Sequence, residues 1–416
     1  DHQMNMLISN EFGQYFARLP LKKSAKIVHG DALEVDWENV VSKNDLSYII
    51  GNPPFIGSKI MNQFQRDSIV REFENIQGSG VLDYVTGWYL IAAKYIQNTK
   101  IKAAFVSTNS IVQGEQTSIL WGQMINKYGV KIHFAHRTFK WSNEAKGNAA
   151  VFCVIVGFAN FDTNQKRIFE YEDIKGEAHE LKVKNINPYL VDAKDILIEK
   201  KSNPICNVPK MSFGNMPLDG GNLILSDEEK EHFLSIEPLS EKYILPLISA
   251  FEFLNGKKRW CIWLVDIEPN ELKQLPEVLK RVELVKQFRL NSVAPSTQKF
   301  AMTPTLFRDR NRPETFIVVP RVSSENRPYI PFGFFDKNSI VSDTCMSIPL
   351  GNKFHFGVLM STMHMAWVKT TCGRLKSDFR YSKDIVYNNY PWPENPSEKQ
   401  IKTIEEKAQN ILDVRA

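Results

Sequence analysis

Apolar positions in the first 160 residues fall into two alternating rhythms. Short runs at Ala25–His29, Leu46–Gly51, Lys102–Val106, Val130–Ala135 and Ala149–Phe158 have the length of strands, and Arg167–Tyr171 is placed to pair with the last of them. Between these runs, Val81–Gln97 and Gln116–Tyr128 carry apolar residues at helical spacing. Strands alternating with helices predict an α/β domain built on a parallel, doubly wound sheet. After about residue 160 prolines, turns and short β-rich runs dominate. Asn255-Gly256 reads as a hairpin turn before a strand at Arg259–Val265. Pro276–Arg289 reads as a helix with its proline in the first turn, and Thr315–Val322 and Tyr329–Phe335 read as strands. Helical spacing returns from Asn352 and ends in an amphipathic helix over Ser397–Val414. Three regions are expected: an α/β domain over 1–160, a β-rich α+β domain over 161–337 and a helical segment over 338–416.

Composition narrows this picture. Of 416 residues, 43% are apolar and 24% charged, as in a chain with a well-formed core. The longest apolar run, Ala149–Phe158, is far short of the roughly 20 residues that cross a bilayer. Neither a membrane segment nor a secretory leader is read from the sequence, so a cytoplasmic location is expected. The five cysteines form no CxxC pair, and their odd number argues against a disulfide framework. Net charge is only +5, but between Lys280 and Arg327 ten basic residues face four acids. That window exceeds the whole chain's excess, so the positive field is concentrated in the C-terminal half.

The sharpest chemical signal is Asn52-Pro53-Pro54-Phe55, directly after an apolar strand. Ligands of open α/β sheets sit outside the carboxyl ends of the strands, where this tetrapeptide falls. The lone pair of an exocyclic amine such as adenine N6 is delocalised into its ring. Acceptors aimed at its two hydrogens draw the nitrogen toward tetrahedral geometry and free that pair for a methyl donor. The Asn52 side-chain oxygen and the Pro53 carbonyl suit this role. A residue before proline is held extended, and Pro53 and Pro54 bring no backbone N–H to compete. Phe55 offers a ring for a flipped-out base, worth roughly 1–3 kcal/mol. The bland alternative is a simple Asn-Pro-Pro turn.

Asn52-Pro53-Pro54-Phe55 resembles motif IV of the amino-methyltransferases that act on adenine N6. Further stretches extend the likeness: IVHGDALEVDW (27–37), GVLDYVTGWYL (80–90), AAFVSTNSIVQGEQ (103–116), HFAHRTFKWSNEAKGNAAV (133–151) and GRLKSDFRYS (373–382). Together they resemble the MmeI-like family of combined restriction-modification enzymes, over essentially the whole chain. The resemblance implies a Rossmann-like methyltransferase sheet, a target-recognition domain, S-adenosylmethionine as cofactor, double-stranded DNA as partner and no metal. It places Asp31, Ala32 and Leu33 at the cofactor, with the Asp31 carboxylate accepting from the cofactor's adenine amine; a strand-end cap is the alternative. Asn52, Asp83 and Tyr84 also fall at the cofactor, although Tyr84 equally suits a core position. Phe139 or Trp141 falls where related enzymes place a second aromatic against the extruded base. His133 and His136, three apart and without a third ligand, read as structural.

Downstream, Arg308, Arg310 and Arg312 alternate, sharing one face on a strand or forming a phosphate clamp on a loop. Arg321, Ser323, Ser324, Glu325 and Arg327 suit base edges or phosphates, with Glu325 accepting from cytosine N4 and Arg327 reading guanine. Arg374, Lys376 and Arg380, near Lys383, suggest a second phosphate-facing patch. No cysteine directly follows a proline, which argues against cytosine-C5 chemistry. RNA and protein-glutamine methyltransferases use the same Asn-Pro-Pro, usually with tyrosine next and without a large basic domain. A non-catalytic DNA-recognition fragment is the other alternative. Only Gly13 and Gly30 lie ahead of Asp31, Phe12–Tyr15 is no glycine-rich loop, and the chain begins with Asp1. The expectation is the C-terminal portion of a longer polypeptide, with the N-terminal cofactor loop and any nuclease domain elsewhere, an open sheet edge and no activity alone.

Overall fold

Six strands make the first sheet: β1 (Tyr48–Gly51), β2 (Lys102–Thr108), β3 (Lys131–Trp141), β4 (Val151–Ala159), β5 (Lys166–Tyr171) and β6 (Ala178–Val183), in the order β1-β2-β4-β3-β5-β6. The computed structural model describes residues 25–141, 151–172 and 176–415, with positions 6, 9–11 and 13 ahead of them. The expected 12–15 stretch, apart from Gly13, and residues 149–150 lie outside the described residues. The α/β class holds, but the sheet is mixed rather than parallel. Only β1 with β2 and β3 with β5 run parallel. The segment 142–150 between β3 and β4 is shorter than the dozen or so residues a parallel crossover needs, and that pair is antiparallel. For the same topological reason Arg167–Tyr171 does not pair with β4, whose two edges are taken by β2 and β3.

Three helices, α1 (Gln63–Glu72), α2 (Thr86–Tyr95) and α3 (Glu115–Gly122), contribute to one apolar cluster with this sheet. Tyr89 of α2 sits within it, 5.2 Å from Phe105, 5.6 Å from Phe158 and 6.0 Å from Trp121 by ring centroids. Such pairs add about 0.5–1.5 kcal/mol each beyond their buried area. Gly157 of β4 is required here, because a Cβ would stand 2.1 Å from the Phe134 ring on β3. The helix expected from Val81 begins only at Thr86. The Asp83 N–H is held by the Gln116 side chain and the Tyr84 N–H by the Ile56 carbonyl, so neither enters a helical ladder. No strand forms at Ala25–His29. Ile27 is 88% exposed, and an extended segment without a partner strand has no ladder to join. The outer edge of β1 carries Ile50, 81% exposed.

Two bulges in β3 break the simple face alternation around its histidines. His133 Nε2 lies 2.7 Å from the Phe161 carbonyl, while His136 Nδ1 lies 2.8 Å from the Tyr171 hydroxyl and stacks on Phe169. Burial lowers the pKa of both.

The later half holds three small sheets. One joins Ile340–Val341, Ile244–Ile248, Trp260–Ile262 and Ile224–Leu225, covered by the helix Pro276–Leu290. A second joins Gly333–Asp336, Thr315–Pro320, Cys345–Pro349 and Ser212–Phe213. A third joins Val322–Ser323, Asp378–Arg380 and Gly373–Leu375. The helices Lys353–Leu359, Thr362–Thr371 and Glu398–Arg415 share a core with the second sheet. The hairpin expected at Asn255-Gly256 is instead a helix end: Ala250–Asn255 closes on Gly256 at φ +61°, a left-handed cap that glycine adopts without strain. The expected Thr315–Val322 run splits between two sheets at Arg321, whose N–H donates to Thr344. Tyr329–Phe335 is strand only from Gly333, after Pro331 has interrupted it. Among the described residues no helix is long and apolar enough to cross a membrane.

Candidate active site and nucleic-acid interface

At the carboxyl end of β1 the chain leaves the sheet through Asn52-Pro53-Pro54-Phe55. Gly51, the last strand residue, lies against the Phe105 ring, 3.3 Å from where a Cβ would stand. Pro53 is buried, Asn52 and Pro54 are exposed and Phe55 is half-buried. The following loop is fastened twice: Tyr84 N–H donates to the Ile56 carbonyl at 2.9 Å, and Ser58 N–H to Asp83 Oδ1 at 3.0 Å.

Asn52, Pro53 and Pro54 line a cavity of about 570 Å³ together with Gly30, Ala32 and Trp88. Asp31 Oδ1 accepts from Leu33 N–H at 2.9 Å, turning the backbone so that Ala32 reaches the cavity while Leu33 enters the core against Gly87. Trp37 Nε1–H closes the turn on the Ala32 carbonyl at 2.9 Å. The Tyr84 phenol is pushed above its ordinary pKa by burial first, then by the charge of Asp31 and a hydrogen bond to it. Tyr84 is buried, as the core reading of it expects, and stands beside Asp31. Trp88, edge-on to Tyr84 at 5.2 Å, is a cavity residue that the sequence reading missed. Its signal was there: it stands four residues after Tyr84, within the run whose apolar spacing predicts a helix.

Asp83 is differently employed. Its carboxylate is buried and accepts from Ser58 N–H, the Gln116 amide, the Thr108 hydroxyl and the Ser110 hydroxyl. It thus joins the loop after Phe55 to the end of β2 and the head of α3. Phe139 belongs to an aromatic group on the sheet, 5.4 Å from Tyr171 and 6.4 Å from His136. The Trp141 side chain lies outside the described residues.

The downstream candidates fall into two surfaces and one interior position. Arg308, Arg310 and Arg312 sit on an irregular segment, so the strand alternative is corrected in favour of the loop. All three are exposed; Arg308 pairs with Asp309, and Arg312 donates to the Lys337 carbonyl at 2.7 Å. The two other groups, distant in sequence, meet in the third small sheet, where Val322 faces Arg380 and Ser323 faces Phe379. Arg321 donates to the Asp343 carbonyl, and Glu325 N–H to Asp378. Ser324 accepts from Arg327 N–H in a turn, and Arg374 stacks over Phe379 at 3.8 Å. Lys376, at the hairpin tip with φ +57°, and Arg380 are exposed. Ser323 is buried, which removes it from that exposed face. Arg289, one of the ten cations of the basic window, is fully buried and faces its own chain.

Residues 1–170 match the family model for the MmeI DNA-methyltransferase domain, and residues 192–394 match that for the MmeI target recognition domain. Fold and site thus define a DNA-methyltransferase domain followed by a target recognition domain. "DNA methyltransferase A" of Bacillus subtilis (strain 168) is 40% identical over 419 residues, covering 100% of this chain and 47% of that protein. The type IIL restriction-modification enzyme MmeI, solved in complex with DNA, is 47% identical with a TM-score of 0.90, covering 100% of this chain and 55% of that one. The chain belongs to the MmeI family in both of its parts, and it spans about half the length of these relatives.

Proposed function

We propose that the chain transfers a methyl group from S-adenosylmethionine to adenine N6 in duplex DNA, as part of a site-specific restriction-modification enzyme. The observation that carries this reading is the shared cavity, with Asn52, Pro53 and Pro54 on one wall and Ala32, flanked by Asp31, on another. The residues present fit the cofactor. The cavity's volume lies in the range of small-ligand sites, its walls are largely apolar and aromatic, and Asp31 stands between two of its lining residues, Gly30 and Ala32. Asp31 would accept from an adenine amine, Leu33 anchors that turn from the core, and Tyr84 steadies the carboxylate. When bound, the cofactor supplies an electrophilic methyl group. The chain's own residues prepare the nucleophile: the Asn52 oxygen and the Pro53 carbonyl accept from the two N6 hydrogens, and Phe55 stacks against the flipped base. Phe139 or Trp141 completes the stack. Arg308, Arg310, Arg312, Lys376 and Arg380 hold phosphates, while Glu325 and Arg327 read base edges.

Calorimetric titration with S-adenosylmethionine, with and without duplex DNA, tests this. Saturable binding followed by N6-methyladenine in the duplex is the expected result. Binding of DNA with no cofactor binding under either condition would instead make the chain a recognition fragment.

A further inference from the structure

A second cavity, of about 240 Å³, lies where the two halves of the chain meet. Its floor comes from the methyltransferase half: Arg137 and Thr138 of β3, Glu170 of β5, and Gln113 just past β2. Its roof comes from the recognition half: Lys369 and Thr370 near the end of the helix Thr362–Thr371, and Arg374 beyond it. The seam is firmly closed beside it. Gly114 N–H donates to the Thr371 carbonyl at 3.1 Å, and a Cβ on Gly114, which has φ +65°, would stand 3.2 Å from the Gly373 Cα. β2 and β3 are both antiparallel to β4 and so parallel to each other, and β1 is parallel to β2. The cavity therefore opens at the same carboxyl edge from which Asn52 leaves the sheet.

Its chemistry is that of an anion site. Arg137 is paired with Glu170, which leaves Lys369 and Arg374 as the further cations on the wall, with the charges of Glu325 and Asp378 acting on Arg374. The Arg374 Nε–H is buried and has no hydrogen-bond partner among the described residues. The same holds for the amide oxygen of Gln113. Rotating that amide about its last torsion exchanges oxygen for NH2, so both positions can present donors. The Thr138 hydroxyl adds a further donor around a space large enough for a tetrahedral oxyanion, whereas the Thr370 hydroxyl donates to the Ala366 carbonyl at 2.9 Å. A buried donor left unpaired is unfavourable, and a ligand that brings only acceptors removes that penalty.

We infer that this seam cavity binds a phosphate group. Its source in the intact system is a backbone phosphate of DNA held at the junction of the two halves, an assignment that rests on the DNA reading proposed above. A phosphate gripped from both sides would couple the register set by the recognition half to the position of the nucleotide at Asn52.

The test uses the whole chain, a mixed-sequence duplex and inorganic phosphate. Lys369→Gln, at an exposed side chain, is expected to lower the slope of log affinity against log salt by about 0.9. Gln113→Leu removes a neutral donor, so it is expected to weaken binding at every salt concentration without changing the slope. Lys407→Gln, on the exposed side of the last helix, is the control and leaves both unchanged. Saturable binding of inorganic phosphate that Lys369→Gln abolishes, with the DNA slope unaltered, would keep the phosphate site and make its source free phosphate. Salt-dependent DNA binding that neither cavity variant alters, with no binding of inorganic phosphate, overturns the site. Failure of the unsubstituted chain to bind DNA at all overturns the DNA reading instead, and the phosphate titration then decides the cavity by itself.

Discussion

In the methyltransferase half a buried carboxylate gathers hydrogen-bond donors; in the recognition half a buried guanidinium gathers carbonyls. Asp83 draws together the loop after Phe55, the end of β2 and the head of α3. Arg289 spends its five N–H groups on the carbonyls of Pro217, Leu218, Phe300, Thr303 and Leu306. Either charge without its partners would cost several kcal/mol to bury, so both arrangements are complete rather than partial. The difference lies in what the partners border. Those of Asp83 flank the candidate catalytic loop, so losing it displaces a site. Those of Arg289 are loop backbone around the helix Pro276–Leu290, so losing it loosens a domain. A buried charge is thus a statement about position in one half and about stability in the other.

Arg289→Met tests the stability side most harshly. It leaves five carbonyls without their donors, and the expected loss is about 3–5 kcal/mol in denaturant unfolding, the scale for breaking a buried charged network. The salt slope of DNA binding by the molecules that remain folded should not change. A slope lowered by about one would mean that the guanidinium reaches a phosphate after all and that the comparison is wrong.

The core that carries the recognition half makes a second, pH-dependent claim. His364 is buried, lies 2.9 Å from the Tyr381 hydroxyl, and burial pushes its pKa down to about 4. An unfolded histidine titrates near 6.5. Between these values the unfolded chain binds the extra proton, so this contribution is complete above about 6.5 and is lost as pH falls toward 4. Unfolding free energies measured across that window should fall by up to about 3 kcal/mol from this residue. His364→Gln should flatten the dependence, and an unchanged profile in that variant would assign the pH effect to other groups.

Much of the site was legible because its signals are local. Asn52-Pro53-Pro54-Phe55 follows an apolar run, and the strand and turn arrive where that pattern puts them. Pro276–Leu290 could be read for the same reason. What escaped depends on partners distant in sequence. Antiparallel pairing of β3 with β4 follows from the short segment between them, yet alternating apolar runs alone suggest parallel strands. Arg289 is one of the ten cations of the basic window, although Val278, Val282, Val285 and Arg289 recur at helical spacing and share the buried face. That spacing was a readable warning. No comparable pattern marks Asp83, whose role exists only when Ser58, Thr108, Ser110 and Gln116 converge on it. The union of Arg321–Arg327 with Arg374–Arg380 in one small sheet is likewise a product of topology.

The proposed catalytic side of the comparison turns on two residues, Asn52 in the motif and Asp83 behind the loop that follows it. On the proposed reading Asn52→Ala removes an acceptor for the reacting amine, so kcat is expected to fall about a hundredfold or more, with a smaller change in cofactor affinity. Asp83 has the smaller effect and the finer diagnosis. Asparagine at 83 retains one oxygen for Ser58 N–H and the Gln116 amide, and the Thr108 and Ser110 hydroxyls can rotate to accept from its NH2. Asp83→Asn should therefore stay within about threefold of the unsubstituted chain, while Asp83→Ala, which releases the loop after Phe55, should lower kcat about tenfold, or about 1.4 kcal/mol of barrier. In both variants the cofactor dissociation constant should hardly move. If Asp83 instead touches the cofactor, as its sequence position suggests, Asp83→Asn will weaken cofactor binding as much as Asp83→Ala does, because the charge rather than the loop will have been lost. Equal kcat in the two variants with intact binding would mean that the loop holds its shape without the carboxylate, and that the contrast with Arg289 is one of degree.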